Sequence, residues 1–182
     1  MKRLFVPVFI ANEFNQIQMR IFAHHWRLLF PKPNCKALLQ RKEVHLKWCD
    51  DPEEFLFSAA HEYGHVEDFE SGDMLRRIQL FASRIPHVDT SSMTQRRACK
   101  LLVSHFHDTS YYDSVLFAEF ELETEVAADR IASQALDQRY RGRYLVSARR
   151  AFRWYLRKHR KVLGNLPREK KWLIRPALYN FP

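Results

Sequence analysis

Residues 58–65 contain the pattern H-E-x-x-H, which constrains the fold of this chain more than any other sequence feature. On an α-helix, His61 and His65 lie about one turn apart, so both imidazole rings leave the same face. Two nitrogens at this spacing suit one Zn²⁺ ion, and Glu62 lies beside them where a general base is needed. The same pattern also fits a helix whose two histidines are satisfied by ordinary hydrogen bonds.

The neighbouring residues predict that the pattern lies on a helix. Asp51 can cap the N-terminus, Pro52 suits the first helical position, and Glu54 completes a pair like a capping box. Gly72 is suited to end the helix. The expected helix is therefore about 20 residues long, the length that the motif requires.

The composition indicates a globular chain of one domain, 1–182, with a basic charge balance. Its 182 residues suffice for a sizeable core. The three cysteines, Cys35, Cys49 and Cys99, form no C-x-x-C pair, which favours a reducing, cytoplasmic compartment over a disulfide framework or a cysteine zinc site. The formal charge of +9 suggests an acidic partner, such as nucleic acid, a membrane surface or an acidic protein.

The N-terminal residues predict a strand followed by a helix. Residues 4–10 are rich in Val and Phe, but Pro7 interrupts them and no small-residue cleavage site follows, so we expect a strand and not a signal peptide. Asn12 is expected to cap a helix that ends at Pro31 and Pro33. No stretch has the run of about 18 apolar residues that is typical of a membrane span.

Two further short strands are predicted at 37–40 and 43–49. The second alternates, and the residues expected to face the core are Val44, Leu46 and Trp48. His45 and Lys47 would then lie on its other side. This strand directly precedes the motif helix, so it is a candidate edge strand that pairs with an extended peptide substrate. An ordinary edge strand is the alternative.

The C-terminal half predicts helices. Their expected ranges are 73–84, 95–106, 114–136 and 144–163. His105 and His107 are two positions apart in the sequence, which directs their rings to different faces of a helix. A loop or helix end is therefore expected there, and an additional catalytic role for the pair stays open.

The helix over 114–136 carries a stripe that is apolar except for Glu125 and Asp129. Two carboxylates one turn apart on such a stripe are costly to bury unless they are paired or bound to a metal. Glu119 and Glu123 fall on other faces and are expected to be solvated. Glu121 lies one turn before Glu125 and is the rival candidate for a metal ligand.

A zinc ion held by His61 and His65 needs a third protein ligand and an open position for water. Glu125 can supply the third ligand. Asp129 can accept the second ring N–H of one histidine, which fixes the tautomer of that histidine. These residues predict one zinc ion per chain, bound by two helices.

The H-E-x-x-H motif followed by E-x-x-x-D on a downstream helix resembles the pattern of the gluzincin metallopeptidases, to which thermolysin and neprilysin belong. The form Glu125-x-x-Ala128-Asp129 is especially similar to the neprilysin version. The resemblance covers two helices, and the chain lacks room for the large second domain of the bigger members. In outline it is also similar to small intracellular zincins of phages and mobile elements, some of which cleave regulatory proteins.

The resemblance implies a role for each matching residue. His61, His65 and Glu125 would bind zinc, Glu62 would activate water, and Asp129 would support a zinc-bound histidine. The residue that stabilises the transition state in the family cannot be placed by motif. The candidates for that role are His105, His107, Tyr111 and Tyr112.

The C-terminal segment 139–182 is strongly basic, because Glu169 is its one acidic residue. Its predicted helix ends at Gly164 and carries arginines off its apolar stripe. The candidate docking residues are Arg149, Arg153, Arg157 and Arg160. They form either a solvated face or a docking face for an acidic protein or a nucleic acid, whose binding would weaken with salt.

Together these features predict an α+β domain with a small mixed N-terminal sheet packed on a helical zincin core and a helix-rich C-terminal half. The expected function is a zinc-dependent endopeptidase that acts on a protein or peptide substrate. One alternative is a basic module that binds nucleic acid or an acidic protein and holds a structural or inactive zinc site. Another is a zinc hydrolase that cleaves a different bond.

Overall fold

The structure is a computed structural model that describes residues 8–84, 89, 91–94, 97–98, 100 and 111–159. Its longer helices are α1 (Val8–Ala23), α2 (Pro52–Glu70), α3 (Asp73–Ala82), α4 (Tyr111–Ala135) and α5 (Gln138–Lys158). Its strands are β1 (Arg27–Lys32), β2 (Lys36–Leu38) and β3 (Glu43–Lys47). The predicted α+β class is confirmed, since a small sheet lies in the N-terminal half and helices make up the rest.

The sheet is mixed, as predicted, but β3 is its central strand and not an edge. The strand order is β1-β3-β2, with β1 parallel and β2 antiparallel to β3. His45 lies opposite Leu29 on one side and Lys36 on the other, and Lys47 lies opposite Lys32. The prediction that His45 and Lys47 mark an edge strand for a substrate is therefore wrong, because β3 lies between β1 and β2 and its residues 43–45 pair on both sides.

The side chain of His45 has an internal partner. Its Nε2 atom lies 3.1 Å from Oε2 of Glu43, which is buried. The hydrogen bond from His45 lowers the pKa of the Glu43 carboxyl below its ordinary value, and Arg27 acts in the same direction. Val44 and Leu46 are fully buried as predicted, whereas Trp48 follows the strand and is about half exposed.

The N-terminal prediction is wrong where the structure describes it. Residues 8–10 begin α1 and do not continue a strand, while residues 1–7 lie outside the described part. The helix starts before Asn12 and ends at Ala23, well before Pro31, which lies within β1. The β propensity of Val8 to Ile10 does not decide their structure, because they form the first turn of a helix that buries Ile17 and Ile21, while Val8 and Phe9 are themselves largely exposed.

Two helices pack against the sheet and form the core that holds the motif. Helix α2 contacts α1, β2 and β3, and α1 also contacts β1. Fully buried aliphatic side chains from these elements meet in that core. They include Ile21, Val44, Leu46, Leu56 and Val66. Burial at roughly 25 cal/mol per Å² of apolar surface makes this core the main stabiliser of α2.

The helix containing Glu125 buries the stripe that the sequence predicted. Leu122, Glu125, Asp129 and Ala132 are each no more than 8% exposed, and Leu136 just beyond α4 is 1% exposed. Another buried carboxylate, that of Glu13 near the N-terminus, links α1 to the start of α5. Glu13 of α1 accepts a hydrogen bond from the Asp137 backbone N–H at 2.6 Å, immediately before α5 begins.

Internal contacts divide the chain into two compact units. The first comprises Met1–Glu70 and Ala127–Ala148, and the second comprises Ser71–Val126 and Arg149–Pro182. In the second unit, Phe81 packs edge-on against Phe120 at a centroid distance of 5.6 Å. The Arg84 guanidinium lies 2.7 Å from the Glu119 carboxylate. Glu119 is 2% exposed, so the prediction that it is solvated is wrong, because Arg84 pairs with it inside the unit.

Helix α2 meets α4 at a glycine. A Cβ atom on Gly64 would lie 2.2 Å from the backbone oxygen of Ala128 and 2.9 Å from its Cα. These distances are far below van der Waals contact, so only glycine allows the two helix backbones to approach this closely. Gly64 follows His61 by three residues and Ala128 directly precedes Asp129, so this contact aligns the motif helix with the acidic stripe.

We expect Gly64→Ala to destabilise the fold by about 2 kcal/mol or more, because the added methyl group must push α4 away. Gly142 is the matched control, since it lies within α5 and a Cβ there would meet no atom within 4 Å. Gly142→Ala should stabilise the chain by up to about 1 kcal/mol through helix propensity. Thermal and urea unfolding of both variants measures these changes, and equal stability of the two variants would contradict the close helix contact.

Candidate metal centre

Helix α2 begins as the sequence predicted, which sets the direction of the motif. The Asp51 Oδ1 atom accepts the backbone N–H groups of Glu53 at 2.9 Å and Glu54 at 3.4 Å. Pro52 is the first helical residue. The start of α5 adds support, since Arg143 forms a 2.7 Å ion pair with Glu53. The helix that carries His61 and His65 is thus fixed at its N-terminus by a cap and by an ion pair.

The two motif histidines converge on one point. The Nε2 atoms of His61 and His65 lie 3.2 Å apart, and their rings are nearly perpendicular, at 89°. Two nitrogens that bind one tetrahedral zinc ion at 2.0–2.1 Å would lie about 3.3 Å apart. The spacing and side-chain direction of the pair therefore fit a shared metal ion.

Asp129 sets the orientation of His61. Its Oδ1 atom lies 2.8 Å from the Nδ1 atom of His61, and the carboxylate is buried. Because an ionised carboxylate only accepts hydrogen bonds, His61 donates from Nδ1. The lone pair of the neutral ring is then on Nε2, the atom that faces His65. Asp129 therefore has the geometry expected of a residue that supports a metal-binding histidine.

Glu125 completes the cluster on α4, one turn before Asp129. One ligand atom from each of His61, His65 and Glu125 lies within 4.8 Å of the others. Glu125 is 8% exposed, and a carboxylate at that burial is stabilised by a metal or another partner. Two histidines and a glutamate are a donor set that zinc accepts in catalytic sites. Together these three residues form what we call the metal cluster.

Glu62 follows His61 directly in the chain but is not a member of the metal cluster. It is adjacent to His61 on α2 and is 4% exposed. The metal cluster found among the described residues consists of the three ligands alone. Glu62 is thus a buried carboxylate beside the ligands, as the motif predicts for a general base.

The rival ligand Glu121 has other partners. Its carboxylate is bonded to the Lys158 ammonium at 2.7 Å and to the His159 ring. Burial alone would raise the pKa of Glu121, but the hydrogen bonds from His159 and Lys158 lower it below its ordinary value. Glu121 does not belong to the metal cluster, so the choice between the two carboxylates falls on Glu125.

The other candidate residues are only partly described. His105, His107 and Arg160 lie outside the described residues, as does the predicted helix end at Gly164. Tyr111 and Tyr112 are the first residues of α4, and their side chains are not described. The role of transition-state stabiliser therefore stays a prediction for these four His and Tyr residues. Arg149, Arg153 and Arg157 are exposed on α5, where a docking face was predicted.

Sequence reasoning missed Tyr144, which the structure places behind the metal cluster. Its hydroxyl donates to Oδ1 of Asp129 at 2.7 Å, and its ring packs edge-on against Phe57 of α2 at 5.6 Å. Tyr144 is 2% exposed. The same Asp129 oxygen thus accepts from Tyr144 and from His61. The four-residue spacing of Tyr140, Tyr144 and Ala148 is a signal that could have indicated their burial, but nothing in the sequence pointed this hydroxyl at Asp129.

Comparison with known proteins gives no relative for this chain. No protein-family model, curated protein or solved structure matches it. None of the helices in the described ranges is both long enough and apolar enough to cross a membrane.

We expect the purified chain to bind about one metal ion, because the cluster provides one set of ligands. Glu125→Ala should lose most of the bound metal. Glu121→Ala, the matched control on the same helix, should retain it because Glu121 pairs with Lys158 and His159. Elemental analysis after dialysis measures the stoichiometry. Full metal content in Glu125→Ala would exclude Glu125 as a ligand.

Tyr144→Phe should weaken metal affinity by several-fold, whereas Asp129→Ala should weaken it roughly 10–100-fold. The tyrosine change keeps the ring against Phe57 and removes one hydrogen bond to Asp129, so His61 is held less firmly. Tyr140→Phe is the control, since Tyr140 is also buried on α5. Competition with a zinc chelator measures each affinity, and identical values for Tyr144→Phe and Tyr140→Phe would show that the hydroxyl does not act on the site.

Proposed function

We propose that this chain is a zinc-dependent metallopeptidase that hydrolyses peptide bonds in a protein substrate. The observation that carries the proposal is the convergence of His61, His65 and Glu125 within 4.8 Å, with Asp129 bonded to the first of them. The motif alone fixes only the two histidines and Glu62. Helix α4 adds Glu125 as a candidate third ligand and Asp129 as a supporting carboxylate. These two residues distinguish the site from a helix with two satisfied histidines.

The donor set favours zinc over other common divalent ions. Two imidazoles and one carboxylate suit Zn²⁺, whereas Ca²⁺ and Mg²⁺ prefer oxygen ligands. When bound, zinc would act as a Lewis acid toward the scissile carbonyl and lower the pKa of a coordinated water toward about 7. His61, His65 and Glu125 would hold the ion, and Asp129 would keep the His61 ring in the binding orientation.

Glu62 is the residue to which we assign proton transfer. It lies next to His61 on a rigid helix, is buried, and is not part of the metal cluster. A carboxylate in this position takes a proton from the attacking water and gives it to the leaving amine. One glutamate can perform both steps, because it is protonated in the first step and returns to its ionised form in the second.

The alternative of a structural zinc site predicts a different ligand set. Structural sites are closed by four protein ligands, while catalytic sites keep one position open. Within the part of the chain that the structure describes, the cluster has three members. A hydrolase that cleaves another bond would use the same residues, so the substrate must be tested directly.

We expect Glu62→Gln to keep metal and fold while reducing turnover by roughly 10²–10⁴-fold, the usual contribution of a general base. Glu54→Gln is the matched control, because Glu54 lies on the same helix and is exposed. Both variants and the wild type, each loaded with zinc, are incubated with a proteome-derived peptide library, and new termini are counted by mass spectrometry.

Cleavage by wild type and Glu54→Gln, but not by Glu62→Gln, would support the proposal. Equal cleavage by Glu62→Gln would refute the assigned base. If zinc-loaded wild type cleaves no peptide, the peptidase assignment fails, and the remaining hydrolase alternative is tested with ester and amide substrates.

A further inference from the structure

Helix α5 carries a basic face that the metal centre does not use. Arg150, Arg153, Trp154 and Arg157 follow one another at helical spacing of three, one and three residues, so they share one side of the helix. All four side chains are exposed. We call these four residues the α5 outer face. The buried side of the same stretch is marked by Phe152, which is 2% exposed.

The charge of this helix is unbalanced within its own length. Gln138–Lys158 contains no acidic residue. Several of its cations are held by other parts of the chain, since Arg139 pairs with Asp137 and Lys158 pairs with Glu121. Arg150, Arg153 and Arg157 make no ion pair or hydrogen bond with any residue that the structure describes. Three guanidinium groups are thus presented to solvent without an anion from the described chain.

Trp154 adds an aromatic surface to the same face. It is 54% exposed, which is unusual for the largest apolar side chain. Tyr155 contacts its ring at a centroid distance of 5.1 Å, and the Lys158 ammonium lies over the ring at 5.7 Å. These contacts hold the indole in place while leaving much of its surface open to solvent.

We propose that the α5 outer face binds single-stranded nucleic acid, with the arginines on phosphates and Trp154 stacked on a base. Arginine matches phosphate oxygens through paired N–H donors. Tryptophan stacks on any base, and such platforms are typical of proteins that bind single strands. This function is separate from the metal centre and does not depend on the proposed peptidase activity.

The combination of residues favours this ligand over two others. A duplex keeps its bases stacked inside, so it offers phosphates to the arginines but no free base to Trp154. The acidic residues of a protein partner offer carboxylates to the arginines but carry no flat π-face for the exposed ring, whereas each nucleotide carries a base beside its phosphate. The distance from Arg150 to Arg157 is about 10 Å along the helix axis, the length of about three phosphates in a stacked strand at about 3.4 Å each.

The test uses the full chain as purified and fluorescence anisotropy with labelled 20-nucleotide probes. The probes are single-stranded RNA, single-stranded DNA and the matching DNA duplex, and a polyglutamate peptide is a competitor. Three variants are compared: Trp154→Ala, a triple change of Arg150, Arg153 and Arg157 to Gln, and a control triple change of Lys36, Arg41 and Lys100 to Gln. The control removes the same charge from exposed positions elsewhere.

The expected result is single-strand binding that weakens with salt and exceeds duplex binding. The arginine variant should reduce the slope of log affinity against log salt by about 2, at roughly 0.7 per lost phosphate contact. Trp154→Ala should weaken single-strand binding about 5- to 100-fold with little change in slope. The control variant should keep its salt slope and its preference for single strands within about twofold of the wild-type values, once the lower net charge is taken into account.

Four results would overturn the proposal. They are no single-strand binding at low salt, equal loss in the control and arginine variants, an unchanged affinity in Trp154→Ala, and displacement of the probe by polyglutamate at equal charge concentration. The last result would assign the face to an acidic protein. An unchanged circular dichroism spectrum in each variant shows that the comparison is made on folded chains.

Discussion

The contact between Gly64 and Ala128 is the constraint on which the candidate metal centre depends. With no side chain at position 64, the backbone of α2 comes so close to that of α4 that an added Cβ would lie 2.2 Å from a carbonyl oxygen. His61 lies one turn before this contact and Asp129 directly after it. Because helix backbones are stiff, fixing them at this point fixes how far apart their side chains are. The 2.8 Å bond from His61 to Asp129 is a consequence of that approach.

Because of this close packing, the buried Asp129 carboxylate can orient the His61 ring. Burying a carboxylate is costly unless hydrogen bonds offset the loss of water. Here one oxygen receives two of them, from His61 and from the Tyr144 hydroxyl. Hydrogen bonds to a charged group contribute about 1.5–3 kcal/mol each, so the two together can offset much of that cost. A residue held in this way has little freedom, and its partner imidazole is pre-oriented before any metal binds. Three helices thus determine the position of one ring nitrogen.

The sequence predicted features that depend on local spacing and missed those that depend on tertiary neighbours. The motif helix, its Asp51 cap and the buried stripe of α4 follow from periodicity within one element, so they could be read directly. The central position of β3 depends on which strands pair with it, and alternation alone does not distinguish a central strand from an edge. Glu119 is buried and pairs with Arg84, which lies in the turn after α3 and is distant in sequence. The same limit applies to Tyr144, since its hydroxyl has a meaning only beside Asp129.

Helix α5 carries a buried residue, Tyr144, that contacts Asp129, and exposed residues that form the α5 outer face. Tyr144 is 2% exposed and acts through a short hydrogen bond in a low-dielectric interior, where electrostatic interactions are strong and little affected by salt. Arg153 and Trp154 are exposed, and exposed charges act over roughly 8–10 Å before physiological salt screens them. Salt should therefore weaken the binding of any polyanion to the α5 outer face while leaving the hydrogen bond from Tyr144 to Asp129 intact. This difference makes the two proposed functions separable by ionic strength alone, because a site that depends on buried hydrogen bonds and one that depends on exposed charge respond differently to the same change.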